Sequence, residues 1–187
     1  MYKIQVIIGA TRQGRFGDKP AKIIFEDLKK IADVEAELLD LRDYPLPFFD
    51  EPVSPNFITE PYSNPQVAKW TKKIAEADAY IIVTPEYNHG YPAVLKNAID
   101  YVGKEWNNKP IAFVSYGAVA GGTRAVQQLR QVVVDLQMTP IRAGVHIVNY
   151  WDHLDEKGEL KPDAVHGAQA LFDQLLWWTK ALKTARG

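Results

Sequence analysis

Apolar positions along this chain fall into two alternating rhythms. Short runs such as Ile4-Gln5-Val6-Ile7-Ile8 and Ala79-Tyr80-Ile81-Ile82-Val83 are almost continuously apolar and rich in β-branched residues. That is the composition of a strand covered on both faces, as in a parallel sheet. Between such runs lie stretches with apolar residues three and four apart, for example Val94, Leu95, Ala98, Ile99 and Val102, or Ala125, Val126, Leu129, Val132, Val133 and Leu136. Those are the stripes of helices that bury one side. The pattern predicts strands near 3–8, 34–40, 79–84, 110–116 and 141–148, with helices near 18–31, 65–77, 92–102, 122–137 and 163–182, the last opened by Pro162-Asp163. Strict alternation of the two kinds implies an α/β, doubly wound parallel sheet of five strands with helices on both faces, as one domain over residues 1–187. The fifth strand alternates Ile141, Ala143, Val145 and Ile147 with Arg142, Gly144 and His146, which marks an edge strand with one wetter face.

One segment departs from the rhythm. Tyr44 to Asn64 holds Pro45, Pro47, Pro52, Pro55 and Pro61 together with Phe48, Phe49, Phe57 and Tyr62. Its aromatics argue against disorder, and its length suggests a packed lid or a subunit contact.

Composition narrows the chemistry. A net charge of −1, with no basic run, is a poor match to nucleic acid or an anionic membrane as partner. The lack of cysteine excludes disulfides, thiolate nucleophiles and zinc–thiolate or iron–sulfur sites, so any redox chemistry must come from a bound cofactor. The N-terminus resembles no signal peptide and no segment has the apolar length of a membrane span, so a cytoplasmic protein is expected. The four histidines lack metal-ligand spacing. The tryptophans suit packing and interface roles.

Three strand-to-helix loops carry the candidate chemistry. Gly9-Ala10-Thr11-Arg12-Gln13-Gly14-Arg15-Phe16-Gly17 has turn-permitting glycines, a hydroxyl, two cations and a helix N-terminus behind it, which suits a phosphate. It is not a triphosphate P-loop, because Arg15-Phe16 stands where Lys and Ser or Thr are required. It is not a dinucleotide fingerprint either, and Asp40 at the end of the second strand reads as a turn or cap residue. The second loop, Thr84-Pro85-Glu86-Tyr87-Asn88-His89-Gly90-Tyr91-Pro92, joins a buried strand directly to a helix. Glu86 and His89 in it have no nucleophile or partner acid placed by sequence. The third, Ser115-Tyr116-Gly117-Ala118-Val119-Ala120-Gly121-Gly122, has small residues that let backbone approach a ligand. A strand order 2-1-3-4-5 would open all three onto one crevice at the sheet's switch point. Phosphate at one end and flat polar contacts at the other suit a mononucleotide flavin.

Thr11-Arg12, then Pro85-Glu86-Tyr87-Asn88 followed by Pro92-Ala93-Val94-Leu95-Lys96-Asn97-Ala98-Ile99-Asp100, and Ser115-Tyr116-Gly117 with Gly121-Gly122 together resemble the NAD(P)H-dependent FMN reductases. That family includes bacterial quinone, azo-dye and chromate reductases, and the similarity runs from the first strand to about residue 148. The resemblance implies a flavodoxin-like fold. It implies that Thr11, Arg12, Arg15, Phe16 and Gly17 surround the ribityl phosphate of FMN, that Pro85, Glu86, Tyr87 and Asn88 line the isoalloxazine, and that Ser115, Tyr116 and Gly117 flank its other side. No catalytic side chain and no metal are implied, because the flavin takes hydride from NADPH or NADH and passes it to a small-molecule acceptor. The alternative in the same fold is a flavodoxin-like electron carrier without nicotinamide-dependent turnover. The family also implies a homodimer or homotetramer, for which helix 92–102 with Tyr101 and Trp106 is the candidate interface.

Overall fold

The computed structural model describes all 187 residues, Met1–Gly187. Five strands, β1 (Tyr2–Ile8), β2 (Val34–Asp40), β3 (Ala79–Pro85), β4 (Pro110–Tyr116) and β5 (Thr139–Ile147), form one parallel sheet in the order β2-β1-β3-β4-β5. β3 and β4 are buried at every position, in accord with their unbroken apolar runs. β5 alternates buried and open residues and is an edge strand, with an irregularity in its pairing to β4 between Ile111 and Phe113.

The helices are α1 (Asp18–Leu28), α2 (Pro65–Ala75), α3 (Ala93–Asp100), α4 (Thr123–Asp135) and α5 (Ala168–Arg186). α1 and α5 cover one face, where Ile24, Leu28, Leu171, Phe172 and Leu175 meet Ile4, Val6, Ile81, Val83 and Val114. The other three cover the opposite face through Trp70, Ile74, Leu95, Ile99, Leu129 and Val133 against Ile7, Tyr80, Ile82 and Phe113. The doubly wound arrangement expected from the alternation, flavodoxin-like as the resemblance implies, is the observed one. No helix is long and apolar enough to cross a membrane.

Element ends differ where local chemistry overrides periodicity. Pro162-Asp163 opens only a short 3₁₀ turn, Pro162–Val165, and α5 begins after Gly167. α1 stops at Leu28, and Asp33 with φ 64° then turns the chain into β2. Pro92 is the cap before α3 rather than its first residue, with extended ψ of 139°.

The 44–64 segment is largely docked. Tyr44 packs on Trp70, Phe49 packs on Tyr101, and the Tyr62 hydroxyl donates to the Tyr101 carbonyl at 2.8 Å. Phe48 and Phe57 remain exposed. Tyr101 and Trp106 do not form an outward surface: both are fully buried in the chain's own core, where Trp106 packs on Tyr80. Their assignment to a subunit interface is therefore withdrawn, because side chains already covered cannot contact a partner.

Candidate functional site

The C-terminal ends of β1, β3, β4 and β5 lie at one end of the sheet, and their loops surround a cleft of about 220 Å³ lined by Arg12, Phe16, Pro85, Glu86, Tyr87, Tyr116, Gly117, Ala118, Tyr150 and Trp151. The first loop leaves β1 through Gly9, whose amide donates to the Val83 carbonyl at 2.8 Å and where a Cβ would press on that carbonyl and on Leu95. It is braced from outside by Arg42, which donates to the carbonyls of Thr11 (3.2 Å) and Arg12 (2.6 Å). It is braced from inside by Arg15.

Arg15 is placed behind the first loop, outside the cleft lining. Its guanidinium is buried and turned away from the cleft, making a two-pronged contact with the Asp40 carboxylate and further contacts with Asp18 and the Ala10 carbonyl. Despite the cost of burial, Arg15 holds Asp40 below the usual carboxylate range. Asp40 also accepts from the Arg42 amide at 2.9 Å, so the turn-or-cap reading of that residue accounts for part of its role. A cation committed to a planar, bidentate partner is a scaffold element, and it has no free donors for a phosphate. Arg12 stands differently: exposed, without an ion-pair partner, and with its guanidinium 5.9 Å from the Tyr87 ring centroid.

The second loop is a two-residue hairpin. Tyr87 and Gly90 exchange backbone hydrogen bonds of 2.8 and 3.0 Å, and the central residues Asn88 and His89 have φ of 50° and 69°. Positive φ at both positions is the signature of a type I′ turn. The turn is tied to α4: Glu86 accepts from the Arg124 side chain (2.9 Å) and backbone amide (3.2 Å), and Gln128 donates to the His89 carbonyl at 2.8 Å. Glu86 thus caps the positive end of α4.

The third loop folds tightly against β4. Gly121 and Gly122 both have positive φ, and a Cβ on Gly122 would lie 2.7 Å from the Ser115 Cβ. Ser115 is fully buried, donates to the Gly121 carbonyl at 2.7 Å, and meets His146 Nδ1 at the same distance. With the hydroxyl proton spent on Gly121, the neutral imidazole donates from Nδ1. Burial lowers the His146 pKa, consistent with that neutral form.

Seven of the sequence-assigned residues line the cleft: Arg12, Phe16, Pro85, Glu86, Tyr87, Tyr116 and Gly117. Thr11, Arg15, Gly17 and Asn88 in the surrounding loops, and Ser115 on β4, lie around the cleft without forming its wall. Ala118, from the third loop's run of small residues, also lines it, and sequence reasoning missed Tyr150 and Trp151. Tyr150 stacks near Phe16 (centroids 4.5 Å) and Tyr116 (5.9 Å), and the half-exposed Trp151 stands beside it. The available signal was an aromatic pair directly after a strand's C-terminal end, passed over because tryptophans were assigned to packing. Trp70 and Trp106 are indeed core residues; Trp151 is not.

The residues present fit a mononucleotide flavin. An exposed cation flanks one side of the cleft, and at Gly117 a Cβ would come within 3.0 Å of the Gly122 amide, so backbone itself forms part of the wall. Comparison with known proteins agrees. The family model described as NADPH-dependent FMN reductase matches residues 2–152. An NAD(P)H-dependent FMN reductase of Schizosaccharomyces pombe is 43% identical over 136 residues, spanning 73% of this chain and 68% of that protein. A quinone reductase of Pseudomonas putida is 29% identical over 188 residues, 96% of each. The fold is shared with a solved flavoenzyme NAD(P)H:(acceptor) oxidoreductase of Paracoccus denitrificans, at TM-score 0.74 and 21% identity over 97% of this chain and 98% of that one. With its cleft and its matched span both in place, this chain belongs to the NADPH-dependent FMN reductase family, whose members are flavin-dependent oxidoreductases.

Proposed function

We propose that this protein oxidises NADPH or NADH and reduces a small planar acceptor, a flavin or quinone, at a single FMN held in the four-loop cleft, in the cytoplasm. The observation that carries this reading is the convergence of the loops after β1, β3, β4 and β5 on one cleft with an uncommitted cation beside it. FMN, when bound, supplies the two-electron chemistry that accepts hydride from nicotinamide and returns it to the acceptor. The chain's residues bind and orient. Arg12 takes the phosphate; Pro85, Glu86 and Tyr87 on one side and Gly117 and Ala118 on the other hold the ring system. Glu86 is tied to Arg124 and is not positioned as an acid or base. Self-association as a dimer or tetramer belongs to the same reading, supported by the exposed Phe48 and Phe57 of the 44–64 segment.

Anaerobic mixing of the FMN-loaded protein with NADPH, and separately NADH, tests the proposal. Loss of oxidised-flavin absorbance within seconds, restored by adding a quinone, is expected. A flavin spectrum that stays unchanged for many minutes with both nicotinamides would overturn it in favour of an electron carrier.

A further inference from the structure

Tyr116 closes β4 with its ring in the layer between the sheet and α1, its centroid 5.0 Å from that of Phe16. The residue is only 4% exposed. Its hydroxyl reaches the start of α1, where a Cβ on Gly17 would stand 2.9 Å from Oη. No carbonyl or side chain of the protein accepts the hydroxyl proton, and the residue is part of the cleft lining. Burial first, then Tyr87, raise the pKa well above that of free tyrosine, while the Gly17 amide, Arg15 and Arg12 oppose the rise, so the proton stays on the oxygen at neutral pH.

The surroundings specify what would accept that proton. Gly17 precedes the first turn of an eleven-residue helix and offers no side-chain cap, and the one acid of that turn, Asp18, is paired with Arg15. A buried hydroxyl without an acceptor is costly, and a cationic setting invites an anionic one. Arg15, the nearer cation, is spent on Asp40.

Resting on the flavin reading above, we propose that the Tyr116 hydroxyl donates a hydrogen bond to the phosphate of the bound mononucleotide. The structure assigns Gly17 a matching role: it is glycine because any side chain there would occupy the space of that hydroxyl. Tyr116 would then serve the phosphate with its tip and the aromatic wall with its ring, which packs against Phe16 and Tyr150.

The test compares FMN with riboflavin, which lacks the phosphate, by fluorescence titration of the apoprotein for the wild type, Tyr116→Phe, Gly17→Ala and the double variant. Tyr116→Phe keeps the ring, and its thermal melting reports whether the fold is retained. Expected is a fall of about tenfold in FMN affinity for Tyr116→Phe with riboflavin affinity nearly unchanged, the size of one hydrogen bond to a charged group. Gly17→Ala should weaken FMN binding in the wild type and add little in the Tyr116→Phe background, because the colliding hydroxyl is then gone. Equal losses for FMN and riboflavin, or no loss for either, in Tyr116→Phe would overturn the phosphate assignment. A Gly17→Ala loss that persists undiminished in the double variant would overturn the role given to Gly17. A wild type that binds neither flavin would instead sink the functional reading, and this proposal with it.

Discussion

The two ends of the same sheet handle charge in opposite ways. At the N-terminal end of the strands, charges close on one another. Lys3 and Lys73 share Glu37 and Glu76, and Asp78 accepts from the Lys3 amide, Lys183 and Arg186. Even the buried Lys109 finds the carbonyls of Ile74 and Ala75 at the end of α2 and the Tyr80 hydroxyl. At the C-terminal end, by contrast, the loops leave Arg12 and the Tyr116 hydroxyl without partners while backbone and small residues draw back to form a cleft. One end is complete as folded and the other is completed by a ligand. Within the open end, the Arg15–Asp40 and Glu86–Arg124 pairs are exceptions, closed contacts that support open ones.

Three variants sharpen this contrast. The largest effect is expected at the support. Asp40→Asn leaves the buried Arg15 guanidinium with Asp18 as its one remaining charge partner, and should lower unfolding free energy by about 2–4 kcal/mol. It should also weaken FMN binding, since the loop it braces carries Arg12; chemical denaturation and flavin titration read the two effects separately. A loss of stability with intact flavin affinity would detach the pair from the site. The sign with pH follows from Asp40, whose pKa is lower in the folded protein than in the unfolded chain, so the pair's contribution is present at neutral pH and lost as pH falls through the folded value.

Next comes the closed end. Burial, with Arg186, lowers the Lys109 pKa from 10.5 to about 8. Between those values the unfolded chain binds the extra proton and the folded protein does not, so this residue's contribution to stability rises with pH across that window. Relative to Lys109→Met, the wild type should gain up to about 3 kcal/mol from pH 8 to 10.5, with flavin affinity untouched. A flat difference across that range would show that the ammonium is not paying for its burial.

The smallest effect is expected at the open end. Arg12→Ala removes an exposed, unpaired cation, so melting should be unchanged while FMN binding weakens by about 1–2 kcal/mol through loss of a charge-assisted contact. Loss of stability without loss of affinity would invert the comparison between the two ends.

Much of the architecture was legible from local pattern because it depends on which faces residues bury. Continuous apolar runs required two covering layers, and the helix stripes supplied them. The loops at Thr11-Arg12, Pro85 to Tyr87 and Tyr116-Gly117 were legible as a site because they combine turn-forming residues with strand ends. Side-chain direction was not. Arg12 and Arg15 look alike as residues, yet one lies open at the cleft and the other is buried against a half-buried carboxylate from another strand. Ser115 and Tyr116 are neighbours on one strand, so alternation sends them to opposite faces: Ser115 to His146 and Gly121, Tyr116 to α1.

The chain's own order of residues therefore determined the layers, the family and the stretches that border the cleft, since these follow from periodicity and short-range turn chemistry. Tertiary structure decided which polar groups were already satisfied. That depends on partners distant in sequence, such as Asp40 for Arg15 and Arg124 for Glu86, and on the arrival of Tyr150 and Trp151 from the far edge of the sheet. A hydrogen bond or ion pair is fixed by distances of a few ångströms, and only the packed chain sets those distances.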